Sequence, residues 1–469
     1  MNNELIFESI LNFVNYYNNF QNNIDSKKVF PDMNNDKISK LKEIPFASES
    51  RDINEVMQEM QNLVYSNQAY MQHPRCFAFI PSPVSLLSWA GEIMTSAFNP
   101  HGGSWLQSPS ASCIESKIIE WMCKLAGYPD TSGGLFVSGG SMANLTALTT
   151  ARNVKLAEDE YPKGIAYVSD QTHSSVAKGL KIIGFREDQI RKVPTNENYQ
   201  LDVDSLETII CEDKAKGFIP FAVIATSGTT NTGSVDPLHS IADICDKYGL
   251  WFHVDGAYGA TVLVSDKYRH LLDGISRSDS ISWDAHKWLL QTYSCSTILI
   301  REKNHLISMF STHPEYLKDA QTNNEQINYW DFGPELTRPA RSLKLWLTLQ
   351  TLGIDNISEG IEHSIQLVEY MENELKTYDN WEIISSAHLA ILNFRYVPVN
   401  ANKQQVDEFN KAISKAILDS GYVGILTTSL NGKTVLRVCS INPETTKEDI
   451  QNTIKLLVEI VKNLQNKYK

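Results

Sequence analysis

The sequence predicts an α/β protein with a mostly parallel central sheet and helices on both of its faces. Between about residues 110 and 300, short runs rich in β-branched and aromatic residues alternate with amphipathic segments of helical length, a pattern typical of βαβ units. The runs occupy residues 135–137, 165–168, 221–224, 250–254 and 296–300. The residues with chemically active side chains follow these runs, at the sheet edge where α/β proteins bind ligands.

The N-terminal segment is predicted to form helices that pack on another part of the assembly. Apolar residues recur at helical spacing between residues 7 and 20, and a second apolar stripe runs through residues 53–64 behind the polar residues 48–50. A segment of this size cannot enclose its own core. We therefore expect residues 1–84 to be a helical arm that packs on a partner subunit.

A stretch interrupted by prolines, residues 73–83, follows the arm helices. Its prolines exclude a regular helix or a central strand. With large groups such as Phe77, Phe79 and Ile80, it either lines a ligand pocket or covers a core.

The C-terminal part of the chain has a different pattern. Asn431-Gly432 predicts a hairpin turn, and a closing helix over residues 450–464 follows a capping pattern formed by Thr446 and Asp449. The predicted domains are the arm at 1–84, a large α/β domain at 85–345 and a small α+β domain at 346–469.

Composition narrows the class of protein. The 469 residues are 42% hydrophobic and 21% charged, which predicts a globular protein with a large core. A net charge of -13 without a basic cluster argues against nucleic acid as a partner. The chain starts without a basic signal region and has no apolar stretch of membrane-spanning length, so we expect no membrane association. Seven scattered cysteines without a C-x-x-C pair favour reduced thiols in the cytoplasm.

The first candidate for ligand binding is the turn after the strand at residues 135–137. The chain passes through Ser138, Gly139 and Gly140 into a helix start that carries Ser141. Amides at a helix N-terminus and a hydroxyl group are suited to hold a phosphate, although an ordinary tight turn gives the same pattern. The segment matches neither G-x-G-x-x-G nor Walker A, so nucleotide motifs do not apply.

Three more candidates follow strands. His173 is placed to stack on a flat cofactor, or to act as a capped structural histidine. The loop of residues 226–233, which contains Thr230, is rich in hydroxyl groups and glycine and can approach a ligand closely. Asp255 would be costly to bury unpaired, a cost that a protonated pyridine nitrogen would offset. A helix cap or a metal ligand is the competing interpretation of Asp255, but no cluster with metal-ligand spacing accompanies it.

Lys287 is the central candidate. It follows His286 and lies between Trp283 and Trp288, just after a probable strand, as a lysine that forms a Schiff base with a carbonyl cofactor would. Most lysines are solvated surface charges, so the residue alone is weak evidence. The order of phosphate turn, histidine, hydroxyl loop, carboxylate and lysine indicates pyridoxal 5′-phosphate (PLP).

The chain resembles the group II PLP-dependent amino acid decarboxylases of the aromatic-L-amino-acid type, and among them the bacterial tryptophan decarboxylases. The resemblance covers essentially the whole chain. It is carried by Phe-Val-Ser-Gly-Gly-Ser-Met-Ala-Asn at 136–144, Ser-Asp-Gln-Thr-His-Ser-Ser-Val-Ala-Lys-Gly at 169–179, Trp-Asp-Ala-His-Lys-Trp at 283–288 and Glu-Leu-Thr-Arg-Pro-Ala-Arg at 335–341. It implies the fold-type I PLP-dependent transferase architecture, PLP as cofactor in the large domain, and a homodimer that shares its active sites.

The resemblance also implies roles for individual residues. Lys287 would carry the cofactor, Asp255 would face its ring nitrogen and His173 would stack on it. Tyr316 would give a proton to the substrate α-carbon. The other implied cofactor contacts are Gly140, Ser141, Met142, Thr230 and His286.

The implied substrate pocket contains Phe79, Ile80, Pro81 and Phe98, with residues of the partner subunit. An aromatic slot favours an aromatic amino acid, tryptophan first and then phenylalanine or tyrosine, over glutamate. Glutamate or histidine decarboxylation, an aromatic aldehyde synthase and a non-catalytic PLP-binding protein are the alternatives.

Two positions depart from the pattern of many relatives. Asp284 stands where many relatives have asparagine, and Gly140 stands where animal aromatic decarboxylases have serine. Both resemble glutamate-type and bacterial variants, which leaves the substrate open.

Overall fold

The computed structural model describes residues 3–32, 34–312 and 326–467. The chain forms two compact units. The first contains residues 1–81, 370–384 and 393–469, and the second contains residues 82–369 and 385–392. The three-domain division at 1–84, 85–345 and 346–469 stays a prediction.

The elements of the described residues are as follows. The α-helices are α1 (Asn3–Asn22), α2 (Asn35–Glu43), α3 (Ile53–Met60), α4 (Leu86–Phe98), α5 (Pro109–Leu125), α6 (Gly140–Lys155), α7 (Ser174–Ile182), α8 (Val203–Ala215), α9 (Leu238–Tyr248), α10 (Asn304–Phe310), α11 (Ser342–Leu352), α12 (Ile354–Leu375), α13 (Lys403–Ser420) and α14 (Lys447–Lys467). The strands are β1 (Gly133–Val137), β2 (Gly164–Ser169), β3 (Ile190–Val193), β4 (Ile219–Thr226), β5 (Trp251–Asp255), β6 (Ser280–Asp284), β7 (Ser296–Ile300), β8 (Trp381–His388), β9 (Ile391–Tyr396), β10 (Leu426–Leu430) and β11 (Lys433–Cys439).

The central sheet has seven strands in the order β1-β7-β6-β5-β4-β2-β3. Strands β2 to β6 pair in parallel, and β7 is antiparallel to both β1 and β6. The predicted mostly parallel sheet is therefore confirmed. The register aligns Thr226 with Asp255 and Asp255 with Ser282, so three polar residues lie side by side on neighbouring strands, and Thr226 and Asp255 end β4 and β5.

Small residues allow α6 to pack closely on this sheet. Ala143, Ala147 and Ala151 are fully buried in a core that also contains Leu135 and Val137 of β1. Because β1 and α6 are joined by the short turn at residues 138–139, this packing fixes where the helix begins.

The first unit confirms the predicted hairpin and capping pattern. Strands β10 and β11 meet at a two-residue turn in which Asn431 and Gly432 have φ of 49° and 68°, as a type I′ turn requires. The side chain of Thr446 donates to Asp449 Oδ2 at 2.7 Å, and the Asp449 amide donates back to Thr446 Oγ at 3.1 Å. A second sheet has the strand order β10-β11-β9-β8.

The N-terminal helices form, but one of them begins later than the sequence suggested. Asp52 caps α3 by accepting hydrogen bonds from the amides of Asn54 and Glu55, so the polar residues 48–50 do not open the helix. Asp52 has the better geometry because its carboxylate reaches two amides of the first turn.

The stretch of residues 73–83 contains neither helix nor strand, as its prolines predict. Its Cys76 and Ala78 are buried in a small core with Val29 of the same unit, so this part of the stretch covers a core. Among the described residues, none of the helices combines the length and apolar character needed to cross a bilayer.

Candidate active site

A cavity of about 310 Å³ lies at the carboxyl ends of β4, β5 and β6 in the second unit. This volume is at the lower end of the range for small-molecule sites, roughly 300–1,000 Å³. Seven of the predicted cofactor contacts line it, namely Gly140, Ser141, His173, Thr230, Asp255, His286 and Lys287. The structure thus brings together residues that are up to 147 positions apart in the sequence (287 minus 140).

Asp255 is the most completely hydrogen-bonded carboxylate of the cavity. It is 5% exposed. Its Oδ2 accepts from Asn144 Nδ2 at 2.9 Å, and its Oδ1 accepts from the Ala257 amide and the Ser282 hydroxyl, both at 3.2 Å. Three donors hold this carboxylate in place, and a carboxylate so held can accept a hydrogen bond from a cationic ring nitrogen.

Lys287 lies beside a second carboxylate. Its Nζ is 3.1 Å from Asp284 Oδ2, and its side chain is 23% exposed. Asp284 is 2% exposed, and within the described residues its Oδ1 has no hydrogen-bond partner. The lysine therefore presents its amine to the cavity with a counter-ion already in place.

His286 adjoins the same carboxylate at a longer distance. Its Nε2 is 3.7 Å from Asp284 Oδ2, and its Nδ1 is 3.1 Å from the Ser296 hydroxyl. Burial lowers the pKa of His286 below its ordinary value. The neutral imidazole is thus favoured, and it faces the cavity as a hydrogen-bonding group.

The phosphate turn begins α6 at Gly140. Gly140 and Ser141 line the cavity. Met142 does not: its amide donates to the Gly139 carbonyl at 2.9 Å, and its side chain packs against the core of the second unit. Its predicted phosphate contact stays a prediction.

A Cβ atom at Gly140 would lie 2.9 Å from Asp284 Oδ2 and 3.2 Å from Ala257 Cβ. Gly140 and Asp284 are therefore in contact. The absence of a side chain at Gly140 is what makes room for the carboxylate at Asp284.

His173 caps helix α7 at the edge of the cavity. Its Nδ1 accepts from the Ser175 amide at 3.2 Å and is 2.8 Å from the Ser175 hydroxyl. Because Nδ1 accepts, the neutral ring carries its proton on Nε2. His173 is therefore a capping residue, as one of the two interpretations predicts, because its Nδ1 caps α7. The same ring also lines the cavity.

Sequence reasoning missed several residues of the cavity. Asn144, Ser175, Tyr293 and Ser294 line it, and Tyr293 contacts His286 edge to face at 5.5 Å. Asn144 lies four residues after Gly140 on one helix face, a spacing that could have identified it. Tyr293 and Ser294 lie in a loop after Lys287 and carried no motif.

A buried ion pair fixes the strand that precedes the phosphate turn. Arg338 is fully buried and forms a paired contact with Glu115, at 2.7 and 3.1 Å. Arg338 also donates to the Phe136 carbonyl at 2.6 Å, and Glu115 accepts from the Phe136 amide at 2.9 Å. The pair therefore holds β1 through both of its backbone groups, two residues before the turn.

The remaining predicted site residues are placed as follows. Tyr316 lies outside the described residues. Phe98 ends α4 and is 85% exposed. Phe79 is 56% exposed with a positive φ of 58°, and it belongs with Ile80 and Pro81 to the first unit. The predicted substrate pocket stays a prediction.

The residues present fit PLP on the chemistry of their donors. A helix start supplies amides and a hydroxyl group for a phosphate, Asp255 supplies a carboxylate for a cationic nitrogen, and Lys287 supplies an amine for an aldehyde. The described residues contain no group of three or more His, Cys, Asp or Glu side chains that could hold a metal ion.

Comparison with known proteins supports this assignment. The sequence profile of the pyridoxal-dependent decarboxylase conserved domain matches residues 36–397. The chain is 40% identical over 445 residues to the aromatic-L-amino-acid decarboxylase of Bacillus atrophaeus, covering 94% of this chain and 92% of that protein. It is 31% identical over 427 residues to phenylacetaldehyde synthase of Arabidopsis thaliana, covering 88% and 87%.

Solved structures give the same result for the fold. The crystal structure of Oryza sativa TDC with PLP and tryptamine matches with a TM-score of 0.93 at 26% identity, covering 99% of both chains. That of Catharanthus roseus tryptophan decarboxylase in complex with L-tryptophan matches with a TM-score of 0.92 at 26% identity, also covering 99% of both. The predicted fold-type I architecture and the PLP cofactor are confirmed, and the chain belongs to the pyridoxal-dependent decarboxylase family as a PLP-dependent carboxy-lyase.

Proposed function

We propose that the protein decarboxylates an aromatic L-amino acid, tryptophan first and phenylalanine or tyrosine as alternatives, to the arylethylamine and carbon dioxide. The observation that carries the proposal is the similarity along nearly the whole chain to an aromatic-L-amino-acid decarboxylase. Two structural relatives are described with tryptamine or L-tryptophan.

The charges of the cavity argue against glutamate. Lys287 is the only ammonium or guanidinium group among the described residues that line the cavity. If that amine holds the cofactor, a substrate side-chain carboxylate that extended into this cavity would have no counter-charge from the described residues. An uncharged aromatic side chain needs none.

The proposed roles use groups described in the cavity, except those of Tyr316, which lies outside the described residues, and Met142, whose side chain packs against the core. When bound, PLP supplies an electron-accepting ring that takes up the electron pair left by the departing carboxylate. Lys287 would hold the cofactor through its amine, and Asp255 would hold the ring nitrogen in its protonated form. His173 would stack on the ring, and Tyr316 would deliver a proton to the substrate α-carbon.

The remaining proposed contacts concern the phosphate. Gly140, Ser141 and Met142 would contact it through the start of α6, and His286 and Thr230 would complete the cofactor site. Thr230 is exposed at the cavity, and His286 is held by Ser296. These side chains can orient a ligand without being consumed in the reaction.

The test is product analysis by mass spectrometry. Purified, PLP-loaded protein is given tryptophan, phenylalanine, tyrosine, histidine and glutamate separately, with Lys287→Ala as the matched control. Tryptamine, phenethylamine or tyramine, with an equal amount of carbon dioxide, is the expected product. Histamine or 4-aminobutyrate alone would contradict the proposed substrate class. Aldehyde with hydrogen peroxide would indicate an aldehyde synthase, and no product despite bound PLP would indicate a non-catalytic protein.

We propose further that the protein is a homodimer with shared active sites. Helix α4 exposes Leu86, Ile93, Met94 and Phe98, at 56%, 46%, 59% and 85%. A run of apolar side chains along one helix is typical of a protein interface. Light scattering should give twice the chain mass of 52.9 kDa. A monomer that keeps full activity would contradict the shared site.

We also propose a cytoplasmic location. All seven cysteines lie in the described part of the chain as thiols outside any disulfide, and five of them are buried. This use of cysteine is typical of a reducing compartment. Recovery of the native protein in the secreted fraction of its own cells would contradict this location.

A further inference from the structure

We infer that Asn144 is a positioning residue for the cofactor: its amide, held in one orientation by the buried His253, fixes the Asp255 carboxylate toward the ring nitrogen of PLP. The inference deepens the proposed function and rests on the proposed role of Asp255. Asn144 is 1% exposed and His253 is fully buried. Neither residue carries a role in the reaction described so far.

Hydrogen-bond chemistry sets the direction of every contact in this network. The Asp255 carboxylate can only accept, so Asn144 presents its NH₂ group to it, at 2.9 Å. Asn144 Oδ1 therefore faces His253 Nε2 at 3.0 Å, and that nitrogen carries the proton. Burial lowers the pKa of His253 to about 4, so the ring is neutral and Nδ1 accepts from the Ser280 hydroxyl at 2.8 Å. The Ser280 oxygen in turn accepts from Trp251 Nε1 at 2.9 Å.

The chain of donors thus ends in an indole N–H, a group that can only donate. No member of the network can reverse its direction without placing two acceptors or two donors face to face. The Asn144 amide therefore has one orientation, and Asp255 always receives a hydrogen from it.

A second branch connects the same amide to the histidine at the cavity edge. Asn144 Nδ2 also donates to the Ser175 hydroxyl at 3.1 Å, and that hydroxyl is 2.8 Å from His173 Nδ1. One amide thus bonds directly to Asp255, the proposed partner of the ring nitrogen, and is linked through Ser175 to His173, the residue proposed to stack on the ring. Loss of Asn144 would free Asp255 Oδ2 from its only neutral side-chain donor among the described residues.

The test compares binding of two cofactors to protein freed of PLP. One is PLP, and the other is 1-deazapyridoxal 5′-phosphate, which lacks the ring nitrogen. Dissociation constants are measured by quenching of tryptophan fluorescence, without any activity assay. The wild-type protein should prefer PLP by about ten- to a hundredfold, as expected for a charge-assisted hydrogen bond. Asn144→Ala should reduce that preference to about threefold or less.

The control is Asn410→Ala, which removes a fully buried asparagine of the first unit that bonds the Tyr396 backbone. It should weaken folding similarly but leave the preference unchanged. Asn144→Leu, which keeps the side-chain shape, should behave as Asn144→Ala and serves if the alanine variant does not fold.

The outcomes separate the inference from the proposal beneath it. An unchanged preference in both Asn144 variants would overturn the positioning role while leaving Asp255 as the ring partner. A wild-type protein without any preference would overturn the role of Asp255 and the inference together. Product analysis would be unaffected by the first result.

Discussion

The ends of β5 and β6 are neighbouring regions that each carry a buried carboxylate, and they differ in what surrounds it. Asp255, at the end of β5, receives hydrogen bonds from three neutral groups of the scaffold. Asp284, at the end of β6, faces the amine of Lys287 and leaves one oxygen without a partner among the described residues. The β5 region is therefore arranged before any ligand binds, whereas the β6 region is completed by groups that take part in the chemistry.

The largest effect should come from Lys287→Ala, which removes the only amine among the described residues that line the cavity. We expect a loss of roughly a thousandfold or more in turnover, because covalent catalysis through the lysine is abolished. Reduction with borohydride followed by mass spectrometry should show cofactor attached to the wild-type protein and none on the variant. Lys178→Ala, an exposed lysine of α7, is the matched control and should keep the attachment. Attachment that persists in Lys287→Ala would contradict the assignment.

The next effect directly compares the two regions. Asp255→Asn should reduce turnover about a hundred- to a thousandfold, because a neutral amide cannot keep a ring nitrogen protonated. Asp284→Asn should reduce it about tenfold, since the lysine keeps a polar neighbour of the same shape. Turnover is measured at saturating PLP, so that weaker cofactor binding does not contribute. Equal losses of turnover in the two variants would contradict the expectation that the negative charge is needed at Asp255 but much less at Asp284.

The sequence predicted the residues that line the cavity better than the buried residues that hold them in place. Asp255 ends a strand, and Lys287, His173 and Gly140 each follow one. The sheet brings such positions to one edge. Strands β2, β4, β5 and β7 could be predicted because each is mostly a run of buried apolar residues. Strand β3 was missed, because it is a short edge strand of four residues that are mostly not buried.

The hydrogen-bond network of Asn144, His253 and Ser280 behind Asp255 was missed. The alternation of side chains along a strand does predict which face its strand residues share. His253 and Asp255 are two residues apart in β5 and share one face, as Ser280 and Ser282 do in β6. Only the tertiary structure shows that Asn144 reaches both. The substrate pocket is harder to predict, because pocket shape depends on a few contacts and not on a repeating pattern.

The buried His253 of the β5 region should also make the free energy of unfolding depend on pH. Burial lowers the pKa of His253 from the ordinary 6.5 to about 4. As pH falls below about 6.5, His253 becomes protonated in the unfolded chain but stays neutral in the folded protein. The free energy of unfolding therefore decreases as pH falls toward 4. This group alone should contribute a loss of about 2 kcal/mol between pH 7 and pH 5.

Urea denaturation at both pH values measures this loss. The free energy of unfolding of His253→Gln should decrease less between the two pH values, because the contribution of His253 is gone. His239→Gln, at an exposed position, should show the same decrease as the wild-type protein. His73 has a similarly lowered pKa of about 4, also through burial, and will contribute to the slope in every variant. An identical decrease in wild-type and His253→Gln protein would show that His253 is not held neutral.

The smallest effect should come from Gly140→Ala, which tests the space that the β6 carboxylate occupies. The new Cβ would lie 2.9 Å from Asp284 Oδ2, so the carboxylate or the start of α6 must shift. We expect PLP to bind about tenfold more weakly. At Gly179 of α7, which does not line the cavity, a Cβ would come no closer than 3.4 Å to any neighbour, which makes Gly179→Ala the matched control. Adding Asp284→Ala to Gly140→Ala should restore part of the affinity, because the two positions are in contact and their effects do not add. Fully additive effects on the dissociation constant would mean that the glycine is needed for the phosphate turn itself and not for the carboxylate beside it.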